Sequence, residues 1–290
     1  MRRKATLMFA FCLSFVCAEA QRSILFKIKY LPERTYQSNV SMTSNIELNV
    51  ENISKKDSDK LIKDGITMPM TVSVSTLSDL TIVTGRPSPQ NIYPIVFRFN
   101  NVKRTGAING TEMPGESEGV SGHELYATTT QTDSLHLDSI SGKQLDTSLQ
   151  KELTSTFDVM ANELHLPEKT LKISDEFTIE IPFHMDMKGV DATIKVNATY
   201  KLTSIKKGLA NFDIDQSSQL DFKNTKNTQT LTGKGGGHGE MIYDIKRNFP
   251  RRISRDLLFD YEMKYKDHVM KGKAKIVSFY LFSVTDNHTN

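Results

Sequence analysis

The chain has 290 residues, and its 37 lysines and arginines nearly balance 34 aspartates and glutamates, leaving a formal net charge of +3. A balance this close to neutral gives no electrostatic footprint for nucleic acid or for a strongly acidic partner. Only two cysteines and no tryptophan occur in a chain with 38 % hydrophobic residues, so the fold must rest on an ordinary packed core rather than on a disulfide framework.

Residues 1–20 read as an export signal. Arg2, Arg3 and Lys4 precede an apolar run from Ala5 to Val16, and Ala18-Glu-Ala20 supplies a small-x-small cleavage site. Cys12 and Cys17 both fall inside this segment, so a mature chain beginning at Gln21 would have no thiol for a bridge or a metal. The expected location is outside the cytoplasm: periplasm, cell envelope or the medium. No later stretch is apolar for long enough to cross a bilayer as a helix, so no transmembrane segment is expected.

From residue 21 onward, apolar and polar side chains alternate with period two, the pattern of half-buried strands. Ile24, Phe26, Ile28 and Tyr30 alternate with Leu25, Lys27 and Lys29, and Leu31-Pro-Glu-Arg34 reads as a turn into a second strand from Tyr36 to Val50, the two forming a hairpin. Lys55-Lys-Asp-Ser-Asp-Lys60 reads as a solvated loop. Strands are expected at Met68 to Val74, Leu80 to Val83 and Ile95 to Phe99, then a polar loop over 104–122, then strands at Glu124 to Thr130 and Ser134 to Ile140.

The alternation then changes period. Leu145, Leu149, Leu153, Phe157, Met160 and Leu164 recur at spacings of three and four, which predicts an amphipathic helix over about 143–164, ending before Pro167. Strand patterns resume at Leu171 to Ile173, Phe177 to Phe183, Ala192 to Leu202, Leu209 to Ile214, Glu240 to Ile245, Leu257 to Tyr265 and Lys275 to Val284. Phe26-Lys-Ile-Lys29 is echoed by Leu171-Lys-Ile-Ser174, and a Met-x-Met pair follows each, at Met68 and Met70 and at Met185 and Met187. The fold expected is mainly β: a curved antiparallel sheet or half-barrel built from two similar halves, with one main helix. One β-rich domain would span 21–290, with a first half at 21–142, the helix at 143–164 and a second half at 165–290.

The opening segment from Ile28 to Tyr36, the centre Leu166-Pro-Glu-Lys-Thr-Leu-Lys-Ile-Ser-Asp-Glu-Phe177, the strand Tyr200-Lys-Leu-Thr-Ser-Ile205 and Gly239-Glu-Met-Ile-Tyr-Asp244 resemble a family of exported β-rich bacterial proteins of the Bacteroidetes type, whose function is not known. Family members carry Gly-Asp-Ser-Trp where this chain has Ser174-Asp-Glu-Phe177. Such proteins look like curved-sheet carriers of the bacterial envelope, in which a half-barrel wraps a helix and holds a lipid. The resemblance implies a fold and, by analogy alone, a hydrophobic ligand.

Chemical motifs are few. Gly115-Glu-Ser-Glu-Gly119 matches G-x-S-x-G, but its serine lies between two glutamates in a polar stretch followed by strand, not on a strand-to-helix elbow. His123-Glu124 begins like a zincin helix, yet Ala127 occupies the position of the second ligand. No catalytic residue, metal site or cofactor is therefore expected, and the chain is read as non-enzymatic. The methionine pairs fit a core best, a hydrophobic cavity next, and Cu(I) with His184 last.

Leu231-Thr-Gly-Lys-Gly-Gly-Gly-His-Gly-Glu-Met-Ile-Tyr-Asp244 fails as a phosphate loop, because Lys234 is followed by glycine and strand is expected downstream. Gly233, Gly235, Gly237 and Gly239 recur with period two, so an extended segment would have one face without side chains. That bare face would admit the helix or a bound molecule, unless the segment is a flexible hairpin loop. The leading expectation is a lipid or hydrophobic small molecule held in a groove between sheet and helix, with Met68, Met70, Met185, Met187, Gly235 and Gly237 as candidate contacts. The alternatives are a structural or adaptor protein of the envelope, centred on no particular partner, and a copper-binding protein using Met and His ligands. A metal or catalytic centre around His238 and Glu240 would belong to the same alternative.

Overall fold

The computed structural model describes residues 23–51, 67–113, 120–129, 134–142, 145–163, 167–187, 190–224, 229–265 and 268–287, with isolated positions 55, 59 and 63; for 181–187, 190–194 and 221–224, for 229, 265 and 268, and for 148, 152, 155, 159, 160, 162 and 163 of the helix the backbone alone is described. Residues 1–20, read as an export signal, Gly115 to Gly119 and most of the expected loop around Lys55 lie outside these residues.

Long alternating strands dominate. In chain order they are β1 (Ser23–Phe26), β2 (Arg34–Glu51), β3 (Met70–Thr84), β4 (Pro94–Ile108), β5 (Thr111–Met113), β6 (Glu124–Thr129), β7 (Leu135–Ser141), helix α1 (Thr147–Glu163), β8 (Lys169–Lys172), β9 (Glu176–Met187), β10 (Val190–Lys206), β11 (Leu209–Asn224), β12 (Gln229–Asp244), β13 (Phe249–Tyr265) and β14 (His268–Asp286). Twelve strands form one curved antiparallel sheet in the order β7-β6-β4-β3-β2-β14-β13-β12-β11-β10-β9, with β5 on the outer end of β4, and the sheet does not close into a barrel. The last strand lies beside the first long one, so β2 to β7 and β14 to β9 run outward as two meanders from the β2–β14 seam.

Several elements differ from their sequence expectation. The hairpin from Ile24 to Val50 does not form: β1 pairs with β8, Ser23 opposite Lys172 and Phe26 opposite Lys169, because both sides of β2 are taken by β3 and β14. The expected polar loop over 104–122 is partly strand, since β4 continues to Ile108 and turns through Asn109 and Gly110 into β5. Both turn residues have positive φ, 49° and 78°, as a two-residue Asn-Gly hairpin turn requires. The strands expected at 68–74 and 80–83 are one strand, β3, with an irregularity at Asp79/Leu80.

The helix begins at Thr147, where Asp146 caps it by accepting from the Leu149 N–H at 2.8 Å. Leu153 and Phe157 are buried, and Phe157 meets Phe97 of β4 edge-on at 5.6 Å. With Tyr36, Ile82, Tyr93, Ile95, Leu125 and Phe249 they form the first core cluster. The β1–β8 ribbon fills the second, in which Phe26 contacts Phe177, Phe212 and Tyr243 at ring separations of 5.0–5.1 Å. Each such side chain contributes about 1.5–3 kcal/mol by burial.

Three tyrosine hydroxyls tie down the extended segment between β1 and β2. Tyr243 donates to the Lys27 carbonyl at 2.5 Å, Tyr93 donates to the Tyr30 carbonyl, and Tyr36 accepts from the Leu31 N–H at 2.5 Å. Burial pushes the Tyr36 and Tyr243 hydroxyls up to about 12 and drives Tyr30 higher still. Both clusters sit at the near end of the strands, where the β3–β4, β10–β11 and β12–β13 turns lie.

Candidate ligand-binding face

Alternation fixes which side chains share the core's face. From the buried residues Tyr36, Leu80, Leu202, Phe212, Met241 and Val284, counting in twos assigns to it the even positions of β2, β3, β10, β11 and β14 and the odd positions of β12 and β13. Along this inner face, register places three zones in succession.

At the near end lie the two packed clusters. At mid-length the face is mixed: Thr76 and Ser78 on β3, Ser278 and Tyr280 on β14 and Arg255 on β13 share it with Val40 and Met42 of β2. At the far end the face is apolar again. Val72 and Met70 of β3 stand opposite Ile46 and Leu48 of β2; these face Ala274 and Gly272 of β14, which face Phe259 and Tyr261 of β13. Phe259, Leu231, Leu220 and Val196 are buried there, with Tyr261, Met263 and Ala274 packed against them, whereas Ile46, Leu48, Val50, Met70, Val72 and Val74 stay half-buried. Burial raises the Tyr261 hydroxyl's pKa, as a poorly hydrated surface does.

The glycine row shapes this face. Gly233, Gly235, Gly237 and Gly239 lie on the inner side of β12, between Leu231 and Met241, in a continuous strand and not in a hairpin loop. A Cβ at Gly237 would stand 1.8 Å from the Asp256 carbonyl oxygen, at Gly235 2.4 Å from that of Leu258, and at Gly239 2.3 Å from that of Ser254. The β13 backbone therefore folds over β12, and only a row without side chains permits it. Phe259 fills the remaining room above Gly233 and Gly235. What approaches the bare face is the next strand, not the helix: α1 packs against the strands of the first cluster.

The opposite face is polar. Glu47, Lys273, Asp260 and Lys234 stand directly across from one another on β2, β14, β13 and β12, an alternating ladder of charge. A cleft of about 790 Å³ runs among these side chains, and two others, of about 650 and 490 Å³, are lined largely by residues of the same polar face. In the second, His238 Nδ1 lies 2.6 Å from Asp215 Oδ1, both groups well exposed, while Glu240 is held by Arg252 at 3.1 Å. His238 and Glu240 are thus not partners, and among the described residues no three His, Cys, Asp or Glu side chains could hold a metal ion.

Of the expected contacts, Met70 lies on the far inner face, and Met68 sits in the bend before β3, outside the strand. Met185 and Met187 are in β9, opposite Ala192 and Val190, at the edge of the sheet with six strands between them and β3. The two methionine pairs therefore do not share a strand pair. Gly235 and Gly237 lie on the inner face, but the space they leave is occupied by β13. Between α1 and the sheet the described residues pack directly, Leu153 and Phe157 against Phe97 and Leu125, so the groove expected there is filled. Ile46, Leu48 and Val72 were visible as alternating strand positions; their meeting with Tyr261 depends on a register that the sequence does not display.

No helix among the described residues is long and apolar enough to cross a membrane. No protein-family model matches the chain, and no curated protein matches it significantly. Among solved structures it is similar to Pseudomonas aeruginosa OccK5 (OpdH), with 4 % identity over 85 % of this chain and 98 % of that one at a TM-score of 0.24. It is also similar to Pseudomonas aeruginosa OpdQ, with 7 % identity over 86 % and 99 % at 0.23. Likenesses at TM-scores this low carry no argument about function, which rests on the geometry of the inner face.

Proposed function

We propose that the protein is an exported, non-enzymatic component of the cell envelope that holds a lipid or other hydrophobic molecule on the far half of its inner face. The observation that carries this reading is the half-buried apolar surface formed by Ile46, Leu48, Val50, Met70, Val72 and Val74, continuous through Ala274 with the buried Phe259 and Leu231. A chain with a well-filled core at one end has no folding need for a second apolar surface left open to water; such surfaces mark binding sites. The export signal read at residues 1–20 supports the envelope location.

Native mass spectrometry of the protein purified from its source cells, followed by lipid extraction, tests the reading. A co-purifying hydrophobic molecule in stoichiometric amount is expected, and an empty protein that also fails to take up apolar probes would contradict it.

A second reading, an adaptor that docks a protein, is favoured by an apolar stripe on the polar face: Val277, Phe279 and Leu281 of β14 are 40, 37 and 44 % exposed, beside Leu77 at 50 % and Leu258 at 57 %. The same native spectrum decides it. An adaptor would retain a protein partner that Phe279→Lys releases, whereas the inner-face ligand is insensitive to that change.

A further inference from the structure

The outer face carries a feature that a ligand on the inner face does not use. Val277, Phe279 and Leu281 follow one another at every second position of β14, ~13 Å of exposed apolar row on an otherwise polar face. Beyond β13 stands a row of carboxylates. Ser254 separates Phe279 from Glu240 of β12, and Asp213 of β11 lies opposite Glu240, with Asp215 two positions along. All three of these acids are exposed. The cleft of about 650 Å³ lies between the rows, lined by Val277 and Phe279 on one side and by Asp213, Asp215 and Glu240 on the other, with Asp256 and His238 between them. No lysine lines it, and the one arginine that does, Arg255, carries its guanidinium to the inner face, 5.3 Å from the centre of the Tyr280 ring. Arg252, bound to Glu240, and Lys201, opposite Asp213, stand at its border, and Lys275 lies past the end of the apolar row. The wall facing the apolar row is therefore acidic.

We infer that this trough docks an amphipathic helix of a partner protein, its apolar face on Val277, Phe279 and Leu281 and its bordering lysines or arginines over Asp213, Asp215 and Glu240. This rests on the adaptor reading above, not on the inner-face ligand, and adds the partner's chemistry to it. β13 and β14 are paired on both sides, so a partner cannot join them as an added strand. The carboxylates lie two and three strands away from β14, ~10–14 Å, which is about the width of one helix with its side chains. A helix set between the rows turns one flank to each, so one flank must be apolar and the other basic.

The test is fluorescence anisotropy of a labelled helical peptide of leucine and lysine, with lysines bordering the leucine face, titrated with the full-length mature protein. The same peptide with glutamate in place of lysine is the comparison. The lysine peptide should bind on the order of tenfold more tightly, and Asp213→Asn combined with Asp215→Asn should remove most of that preference. Phe279→Ser should weaken its binding by about tenfold. Glu47→Gln combined with Asp260→Asn takes the same charge from the same face outside the trough and should leave binding unchanged. Equal binding of the two peptides, or an equal loss in the Glu47 and Asp260 pair, would overturn the basic-helix assignment; the stripe would remain a docking surface if Phe279→Ser still weakened binding. A lysine peptide that does not bind would also overturn it, with the adaptor reading then decided by the native spectrum alone. Self-association of the protein that Phe279→Ser abolishes would show that a second copy covers the stripe, and would overturn it as well.

Discussion

At the near end of the strands, helix α1 and the β1–β8 ribbon lie on the inner face, and Phe26, Tyr36, Phe97, Leu153 and Tyr243 are all but inaccessible. At the far end the same strands carry Ile46, Leu48, Val50 and Val72 on the same face, and these stay half-buried. Identical alternation produces both ends. The difference is what covers them, and on the proposed reading it separates stability from binding along the strand axis: one half of the face holds the fold together while the other is left open.

Substitutions should expose that asymmetry. The largest loss is expected from Phe157→Ala, which removes the helix's main anchor against Phe97 and should cost about 3–5 kcal/mol, a fall in melting temperature on the order of 10 °C. Leu48→Ala at the far end should cost about 1 kcal/mol, since its side chain is only half-buried. Equal losses at the two positions would erase the distinction between the ends.

The glycine crease belongs to the sheet rather than to either end. Gly237→Val would drive Cβ into the Asp256 carbonyl, which cannot move without breaking the β12–β13 contact, and should cost about 3 kcal/mol or more. Gly236→Ala, on the opposite face, meets only the Gln216 carbonyl at 3.2 Å and should cost no more than about 1 kcal/mol in a urea melt. A tolerant Gly237 would mean that the sheet opens at this line.

Alkali should weaken the near end first. The Tyr36 and Tyr243 hydroxyls titrate near 12 in the fold against an ordinary value of 10. Their contribution is therefore complete below pH 10 and lost as pH rises toward 12, roughly 2–3 kcal/mol for each. Urea midpoints between pH 8 and 11.5 should fall accordingly, and Tyr36→Phe should flatten part of the slope. The smallest effect is at the sheet surface. Hydrogen bonds from Tyr126 and then Arg98 hold the Glu124 carboxyl below the usual range, so its contribution is present above the ordinary carboxylate value and disappears as pH falls through the lowered one. Glu124→Gln should cost no more than about 1 kcal/mol at neutral pH.

Much of this architecture was legible in the residues, and the reasons for the gaps are physical. Period-two alternation gave the strands and the curved antiparallel sheet, and the Leu149-Leu153-Phe157 spacing gave the helix within a few residues of its ends. Strand lengths were read short wherever polar residues continued the alternation, as in Asp215 to Asn224 of β11, because a solvated sheet face looks like a loop when viewed one window at a time. The Asn109-Gly110 turn is a local hairpin signal, but the polar residues on either side of it read equally well as loop. The spacing of the four glycines puts a bare face on the segment once it is extended, but whether it is extended and what lies against it depend on the register of β13, which no local pattern encodes. The same holds for the far inner face: each side chain is ordinary alone, and only strand order brings Leu48, Tyr261 and Leu220 into one surface.

The most direct test of the division between a structural and a binding end is titration of the mature protein and its Leu48→Lys variant with N-phenyl-1-naphthylamine, alongside their melting curves. Saturable binding to the wild-type protein, lost in a variant whose melting temperature stays within a few degrees, is the predicted result. Binding that survives Leu48→Lys unchanged, or a wild-type protein that shows no saturable uptake, would contradict the account.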